Sequence, residues 1–381
     1  MNFAFDDEQE ALRATVRKFL ADTSPETEVR RLMETAEGYD SDVWRQLAGQ
    51  LGLLGLIVPE QYGGSGFSYL ELIVVFEEMG RSLLCAPFFS TVAMATTLLL
   101  ALDDDAASKD LLPGIADGSR LATVAMAEAD GSWNTADVAM TAVPDGTGNG
   151  GPGQDRPGWT LTGEKFYVVD GHVADVVLVV AAAAAGTSVF AVDRGAAGLV
   201  ADLSATMDKT RKLARLRFDA TPARLIGTAG QADGPVARML DLAAIALAAE
   251  QVGGAQRVLE IAVGYAKIRE QFGRPIGSFQ AIKHKCANML LEIEAAKSAA
   301  YYAGWAAAEN DPELPVLASV AKAYCSDAYV HAAAENIQIH GGIGFTWEHP
   351  AHLYFKRAKS SELLLGAPDY HRERLLQGLG I

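Results

Sequence analysis

Two short segments in the last third of the chain carry residue types that suit a phosphate-bearing or nucleotide ligand. Residues 269–273 read REQFG, and residues 337–342 read IQIHGG. Each places a glycine at a predicted helix end, where a ligand can approach the backbone, beside the guanidinium of Arg269 or the amide of Gln338. The same patterns are typical of two helices that stop at glycine beside an exposed polar side chain. The spacing alone leaves both interpretations open.

Other common catalytic patterns do not occur in the sequence, which has no phosphate-loop lysine and no HExxH zinc motif. His349 and His352 are three positions apart, but Pro350 lies between them, and the pair predicts a helix start. The glycine-rich tract at residues 145–153 has a G-x-G spacing, yet no predicted helix follows it, so it indicates a surface loop. We therefore expect no metal site and no dinucleotide-binding loop of that type.

The elements that position these segments fall into three regions, which predict domains at residues 1–119, 120–228 and 229–381. Apolar residues recur at helical spacing in the first region, for example over residues 69–81. The second region has short β-branched runs separated by Gly, Pro and Asp, which predict an antiparallel β-barrel or sandwich. The third has long helical periods, with Ser278 as a candidate N-cap, and predicts a four-helix bundle. The expected fold class is α+β multidomain.

Charge and composition exclude several classes of protein. The chain has 381 residues, 48 of them acidic and 32 basic, so its formal net charge is −16. A non-specific nucleic-acid or anionic-membrane binder needs the opposite sign. Two uncharged runs, residues 83–102 and 176–192, are interrupted by Pro, Thr or Gly and predict buried core elements in place of membrane spans. Three cysteines without a CxxC pair, and no secretory leader, favour a cytoplasmic location.

Over nearly its whole length the sequence resembles the acyl-CoA dehydrogenase family. The resemblance implies the family's fold, in which a helical domain, a β-domain and a helical bundle follow one another, and an assembly as a dimer of dimers. It also implies desaturation of an acyl-CoA thioester, with an electron-transfer flavoprotein as acceptor. Besides RxxFG and IQxxGG, the matching segments are PEQYGG at 59–64, EEMGR at 77–81, GEK at 163–165 and MDKTR at 207–211.

The resemblance further implies FAD in a site that two subunits share. In the family, one subunit holds the isoalloxazine ring and supplies the catalytic carboxylate. Its neighbour offers the RxxFG and IQxxGG segments to the pyrophosphate and adenosine end. That half of the site is intact in this chain. Its residues would be Arg269, Phe272, Gln280, Gln338, Gly341 and Gly342.

The flavin-contact half departs from the family pattern. Where the family usually has TEPGxGS, residues 127–133 read AEADGSW, without the hydroxyl donor and the proline turn. The family's WIT segment corresponds to YVV at residues 167–169, which keeps an aromatic ring and loses a second hydroxyl.

Both family positions for the catalytic base hold apolar residues. The reaction needs a base for the α-proton while a hydride leaves the β-carbon, and a carboxylate in a water-poor site suits that work. The common position aligns with Leu365 and the alternative position with Ala243. Glu250 lies two helical turns beyond Ala243, and Glu362 lies three residues before Leu365. Either could be a relocated base, although both are also typical of solvated or ion-paired helix residues.

Two functions are therefore considered. The pattern of losses favours the base-lacking subunit of a heterotetrameric acyl-CoA dehydrogenase, completed by a second subunit of the same family. Such pairs serve bulky substrates, including sterol side-chain CoA thioesters. The alternative is a self-sufficient, homo-oligomeric acyl-CoA dehydrogenase with a relocated carboxylate.

Overall fold

The computed structural model describes residues 5–146 and 158–381. The chain forms two compact units, each drawn from separate stretches of sequence. The helical unit comprises Met1–Arg31, Ser68–Cys85 and Ala244–Ile381, and the barrel unit comprises Leu32–Phe67 and Ala86–Ala243. The division into three domains at residues 119 and 228 stays a prediction.

Helices precede and follow a region of strands along the chain, which confirms the predicted fold class. The helices are α1 Asp7–Thr23, α2 Glu26–Leu32, α3 Ser41–Gly49, α4 Tyr69–Arg81, α5 Thr97–Ala101, α6 Asp105–Ala116, α7 Asp233–Ile268, α8 Gln280–Ala308, α9 Leu314–His340, α10 Ala351–Leu363 and α11 Pro368–Gly378. The strands are β1 Ala122–Ala125, β2 Thr141–Pro144, β3 Trp159–Val169, β4 Val176–Ala183, β5 Gly186–Asp193, β6 Leu199–Leu203, β7 Leu213–Ile226, β8 Glu270–Gln271 and β9 Arg274–Pro275.

The sheet of the barrel unit closes on itself. Strands β4, β2, β3, β7 and β5 pair in that order, and β5 returns to pair with β4. Most pairs are antiparallel as predicted, but β1 and β2 each run parallel to β4. No crossover helix is needed for these parallel pairs, because the connections pass through other strands. Leu161, Val179, Phe190 and Leu216 lie in the buried core of the barrel.

In the helical unit, α7 and α9 run side by side. The Tyr329 ring lies against Gly254, and the Tyr265 ring stacks on His340. Both contacts join residues with the same separation along the chain, so the two helices are parallel and in one register. A Cβ atom at Gly254 would lie 2.5 Å from the Tyr329 ring, so a glycine is needed for this close approach.

Two predicted helix starts have different outcomes. The helix predicted at residues 69–81 is confirmed as α4, and Ser68 and Glu71 form a capping box at its start. The prediction of Ser278 as the N-cap of the next long helix is wrong. Ser278 ends a 3₁₀ turn, Ile276–Ser278, and α8 begins at Gln280 without a side-chain cap.

The two uncharged runs form buried elements. Residues 83–102 include a π-helix, Phe89–Thr96, that leads into α5, and residues 176–192 form most of β4 and β5. Within residues 5–146 and 158–381, no helix has the length and apolar character needed to cross a membrane. The predicted surface loop at 145–153 lies outside the described residues from residue 147 onward.

Candidate functional site

A tight hairpin follows α7 and exposes the predicted ligand-binding residues Arg269 and Phe272. Strands β8 and β9 pair with one another, and Phe272 and Gly273 form the turn with φ of 55° and 76°. Two successive residues with positive φ are what a two-residue hairpin turn requires. The Phe272 side chain is 92% exposed. In the part of the chain that the structure describes, no hydrogen bond or ion pair engages the Arg269 guanidinium.

The end of α9 presents bare backbone. Gly341 adopts φ 65° and ψ −140°, a conformation open to glycine alone, and this ends the helix. A Cβ atom at Gly341 or Gly342 would meet no atom within 4 Å. Gln338, one turn earlier, is exposed. A ligand can therefore approach the backbone at this turn, as the sequence predicts.

Tyr265 and His340 bring these two segments together. Their rings stack with centroids 4.2 Å apart. Tyr265 lies one helical turn before Arg269, whose backbone N–H donates to the Tyr265 carbonyl at 2.9 Å. His340 directly precedes Gly341. Gln280, the first residue of α8, is exposed, and its Nε2 lies 3.4 Å from His284 Nε2.

The turn after α10 holds Leu365, which is expected from the sequence at the common family position of the base, in a buried left-handed conformation with φ 62°. The fully buried Lys322 supports this turn from α9. Its Nζ donates to the carbonyl oxygens of Glu362 and Gly366, each at 3.1 Å. His371 Nε2 lies 3.0 Å from the Leu365 carbonyl oxygen. The turn is therefore fixed by several bonds but presents an apolar side chain.

The two candidate relocated bases both have basic partners. Arg357 Nη1 donates to Glu250 Oε1 at 2.7 Å, and both side chains are buried. Lys359 Nζ forms an ion pair with Glu362. Ala243, at the alternative family position, is fully buried. Each of the two carboxylates therefore has a charged partner.

In the barrel unit, Glu128 and Lys165 fix the start of the segment 127–133, which is expected from the sequence at the flavin-contact position. Lys165 Nζ donates to Glu128 Oε1 at 2.8 Å, and the backbone N–H groups of Ala139 and Met140 donate to the same oxygen. Burial disfavours charge on Glu128, but the hydrogen bonds from Lys165 and Met140 outweigh it and hold the pKa of the carboxyl below its usual range. Burial lowers the pKa of Lys165, against the opposing effect of Glu128.

Near this pair, buried apolar side chains occupy the two positions at which the family pattern has a threonine hydroxyl. Ala127 and Val169, which are expected from the sequence at positions of family threonines, are both almost fully buried. Tyr167, expected at the position of the family tryptophan, is 47% exposed and adopts φ 55°. The segment thus keeps its ion pair and its aromatic residue but offers no side-chain hydroxyl at these two positions.

The sequence interpretation missed four residues that shape these sites, namely Tyr265, His340, Lys322 and Arg357. Tyr265 and His340 sit beside the predicted segments, and their position next to Arg269 and Gly341 was the available signal. No local signal marks Lys322 or Arg357, because their partners lie 40 and 107 residues away.

Comparison with known proteins gives consistent matches. The acyl-CoA dehydrogenase N-terminal domain matches residues 6–119, and the acyl-CoA dehydrogenase C-terminal domain matches residues 235–380. Acyl-CoA dehydrogenase IpdE2 of Mycobacterium tuberculosis is 37% identical over 369 residues, which cover 97% of this chain and 96% of that protein. The IpdE2 of Mycolicibacterium smegmatis is 32% identical, covering 97% of this chain and 98% of its own.

Solved structures agree. A variant of the Tcur3481-Tcur3483 steroid ACAD is 34% identical, with a TM-score of 0.86 and 98% of both chains covered. The ChsE4-ChsE5 complex from Mycobacterium tuberculosis contains a chain that is 27% identical, with a TM-score of 0.89 and coverage of 100% of this chain and 99% of that one. With its two matching domains and full-length relatives, this chain belongs to the acyl-CoA dehydrogenase family, whose members are oxidoreductases that act on acyl-CoA.

Proposed function

We propose that this chain is the base-lacking subunit of an FAD-dependent, heterotetrameric acyl-CoA dehydrogenase. The observation that carries the proposal is the contrast between two sets of residues. Leu365 and Ala243 are apolar and buried at the expected base positions, whereas the residues expected to grip a neighbour's cofactor are exposed. A second chain of the same family would supply the carboxylate and the flavin-contact pocket.

The exposed residues suit a cofactor that is seated on another chain. Arg269 can donate to phosphate oxygens in bidentate fashion, and the open backbone at Gly341 and Gly342 admits a ligand without a clash. Gln280 and Gln338 add amide donors and acceptors, and Phe272 offers an aromatic face. When bound, FAD supplies the hydride acceptor of the reaction. The residues of this chain bind and orient its pyrophosphate and adenosine end.

Exposed apolar side chains in the helical unit also support a partner chain. Ile268, Phe272 and Leu291 are each more than two-thirds exposed, and Leu290 is half exposed. They lie at the end of α7, in the hairpin and on the first half of α8. Large apolar side chains that are exposed in a single chain can become buried at a protein interface. A contact at this surface would place the cofactor-gripping residues at the edge of a neighbouring subunit.

The alternative, a self-sufficient enzyme with Glu250 as base, conflicts with its ion pair. A carboxylate that accepts the α-proton becomes neutral and no longer balances the charge of the Arg357 guanidinium in buried surroundings. Breaking a buried ion pair in this way costs about 3–5 kcal/mol. That cost would add directly to the barrier of proton abstraction. Glu362 is paired with Lys359, and its backbone is tied down by Lys322.

The names of the relatives suggest the substrate class. The Tcur3481-Tcur3483 protein and the ChsE4-ChsE5 complex each carry a name that joins two components. The first of them is called a steroid ACAD. We therefore assign a bulky acyl-CoA, such as a sterol side-chain CoA thioester, as the substrate of the assembly. An electron-transfer flavoprotein is the proposed acceptor of the electrons.

The test compares the purified chain alone with the chain co-purified with its partner. FAD per chain is measured by absorbance, and turnover by acyl-CoA-dependent reduction of a dye. We expect half an equivalent of FAD per chain in the pair, turnover in the pair, and no turnover with the chain alone. One equivalent of FAD per chain, with turnover in isolation, contradicts the proposal.

Two variants of this chain sharpen the test. Arg269→Ala should reduce FAD retention in the assembly because it removes the phosphate-binding guanidinium. Arg45→Ala is the matched control, since Arg45 is an exposed arginine on α3 that pairs only locally with Asp42. Glu250→Gln should leave the turnover of the intact assembly within a few-fold of wild type. A loss of several orders of magnitude with Glu250→Gln would revive the relocated base.

A further inference from the structure

Three rings from separate parts of the helical unit meet beside the glycine turn that ends α9. The imidazole of His340 stacks on the ring of Tyr265, and the ring of His349 lies with its centroid 4.1 Å from the same imidazole. Tyr265 belongs to α7, His340 ends α9, and His349 lies just before α10. This ring stack therefore joins α7 and α9 to the segment that runs from Gly341 to α10.

Hydrogen bonds assign a neutral state to both imidazoles. His340 Nδ1 lies 2.8 Å from the Asn336 carbonyl oxygen, so it carries a proton and donates. His340 Nε2 is buried and has no hydrogen-bond acceptor among the described residues, so it carries no proton and the ring is neutral. His349 Nδ1 accepts from the backbone N–H of Ala351 at 3.2 Å, so that nitrogen is unprotonated.

Burial disfavours a positive charge on the stack, and the surrounding charges act in both directions. The neighbouring His340 and Arg30 of α2 lower the pKa of His349, whereas Glu26 of α2 raises it. Burial first, and then the neighbouring ring, lowers the pKa of His349, and burial lowers the pKa of His340.

His352, in the first turn of α10, adds to the same environment. Its Nε2 is buried without a partner among the described residues. Burial, followed by Lys356 and Arg30, lowers the pKa of His352 to about 4. The groups that face the stack thus include two cations, Arg30 and Lys356, and one carboxylate, Glu26.

We propose that His340 is a positioning residue for the glycine turn Gly341–Phe345, and that acidification releases this turn by adding a proton to the ring stack. The proposal rests on the proposed function in that this turn is the part of the chain assigned to grip FAD. A proton on His349 Nδ1 would make that nitrogen a donor, so it could no longer accept from the backbone N–H of Ala351. A proton on His340 Nε2 would place a charge where the described residues offer no acceptor.

The consequence is a cofactor grip that depends on pH. Above the ordinary histidine value of 6.5 the rings are neutral and the turn is held. Below it, the histidines take up protons when the turn is released, whereas the stacked form excludes these protons. For each histidine involved, the released fraction grows about tenfold per pH unit in this range.

Hydrogen–deuterium exchange of the full chain without partner or FAD tests this directly. Backbone exchange of residues 341–349 is compared at pH 7.5 and pH 5.5, after correction for the intrinsic pH dependence of exchange. We expect roughly tenfold faster corrected exchange at the lower pH if release exposes one histidine to protonation and roughly a hundredfold if it exposes both, confined to this segment and its flanks. Equal corrected exchange at the two pH values would overturn the proposal.

Three variants separate the stack from general acid sensitivity. His340→Phe keeps a ring beside Tyr265 but cannot take a proton, so its exchange in this segment should change less with pH. Tyr265→Leu removes a stacking partner and should give fast exchange at both pH values. His331→Gln is the matched control on the same α9 helix, because His331 is exposed and pairs with Glu292 away from the stack. If His340→Phe and wild type respond equally, His340 is not the positioning residue.

FAD retention by the assembly is measured separately over the same pH range. If the segment opens with acid but the assembly never binds FAD, the positioning role stands and the proposed function fails. If FAD is bound and lost with acid while exchange in the segment stays constant, the proposed function stands and the positioning role fails.

Discussion

Glu250 of α7 and Arg357 of α10 form a buried ion pair with 2.7 Å between Oε1 and Nη1. Their relative exposures are 5% and 3%, so neither charge is compensated by bulk water. The pair connects α7 to α10. It also makes a structural residue of the carboxylate that the sequence offers as a spare base.

The first prediction concerns the strength of this pair. Glu250→Gln and Arg357→Met should each lower the free energy of unfolding by about 3–5 kcal/mol, because each removes the opposite charge that a buried ionised group faces. The double variant should lose clearly less than the sum of the two losses. Urea denaturation of the four proteins measures the coupling. The exposed Arg45–Asp42 pair serves as control and should couple by less than about 1 kcal/mol. Additive losses at Glu250 and Arg357 would show that the pair does not act as a unit.

The second prediction concerns Lys322 and the turn that holds Leu365. Lys322→Met fits the buried volume but removes the donor for the Glu362 and Gly366 carbonyls. Leaving these part-buried acceptors without the ammonium donor should cost up to about 1–3 kcal/mol each. Chemical denaturation measures the total, and hydrogen–deuterium exchange at residues 363–367 should rise with it. Unchanged stability would mean that water replaces the ammonium group at these carbonyls.

The third prediction is a pH dependence of stability that originates at His371. Burial, and then the charge of Lys322, lowers the pKa of His371 to about 3, against an ordinary value of 6.5. The folded state therefore excludes a proton that the unfolded state accepts below pH 6.5. The contribution of His371 is complete above pH 6.5 and is lost as the pH falls, at about 1.4 kcal/mol per pH unit.

Comparison of wild type with His371→Gln checks this sign and size. Between pH 6.5 and pH 5, the free energy of unfolding should fall with decreasing pH less steeply for the variant than for wild type. The two slopes should differ by about 1.4 kcal/mol per pH unit. At pH 7.5 both proteins are neutral at this position, so their difference there reports packing and the bond to the Leu365 carbonyl. Parallel slopes in the acid range would exclude His371 as a source of the pH dependence.

The fourth prediction uses two glycines on the same helix, α7. Gly254→Ala should destabilise the chain by about 1–3 kcal/mol, because the new Cβ atom would lie 2.5 Å from the Tyr329 ring. At Gly264 a Cβ atom would meet nothing within 4 Å, so Gly264→Ala should stabilise the helix by about 0.5–1 kcal/mol. Thermal denaturation of the two variants compares them directly. A stabilising effect at Gly254 would contradict the close parallel packing of α7 and α9.

The sequence by itself determined the fold class, the helix at Tyr69–Arg81 and the two glycine-bounded segments at Arg269 and Gly341. These features are local. The helical period, the capping pair of Ser68 and Glu71 and the need for glycine at positive φ are all written in residues a few positions apart. The resemblance to the acyl-CoA dehydrogenase family rests on the same kind of short motif.

Only the tertiary structure decided what Glu250 does and which rings meet His340. Both depend on which helix faces are neighbours, and a helical period identifies a buried face without naming what covers it. Arg357 lies 107 residues from Glu250, and the parallel register of α7 and α9 that pairs Tyr265 with His340 follows from close packing at Gly254. Such contacts are fixed by the packing of whole helices, so the sequence pattern could single out Glu250 but identified neither Arg357 nor the rings that meet at His340.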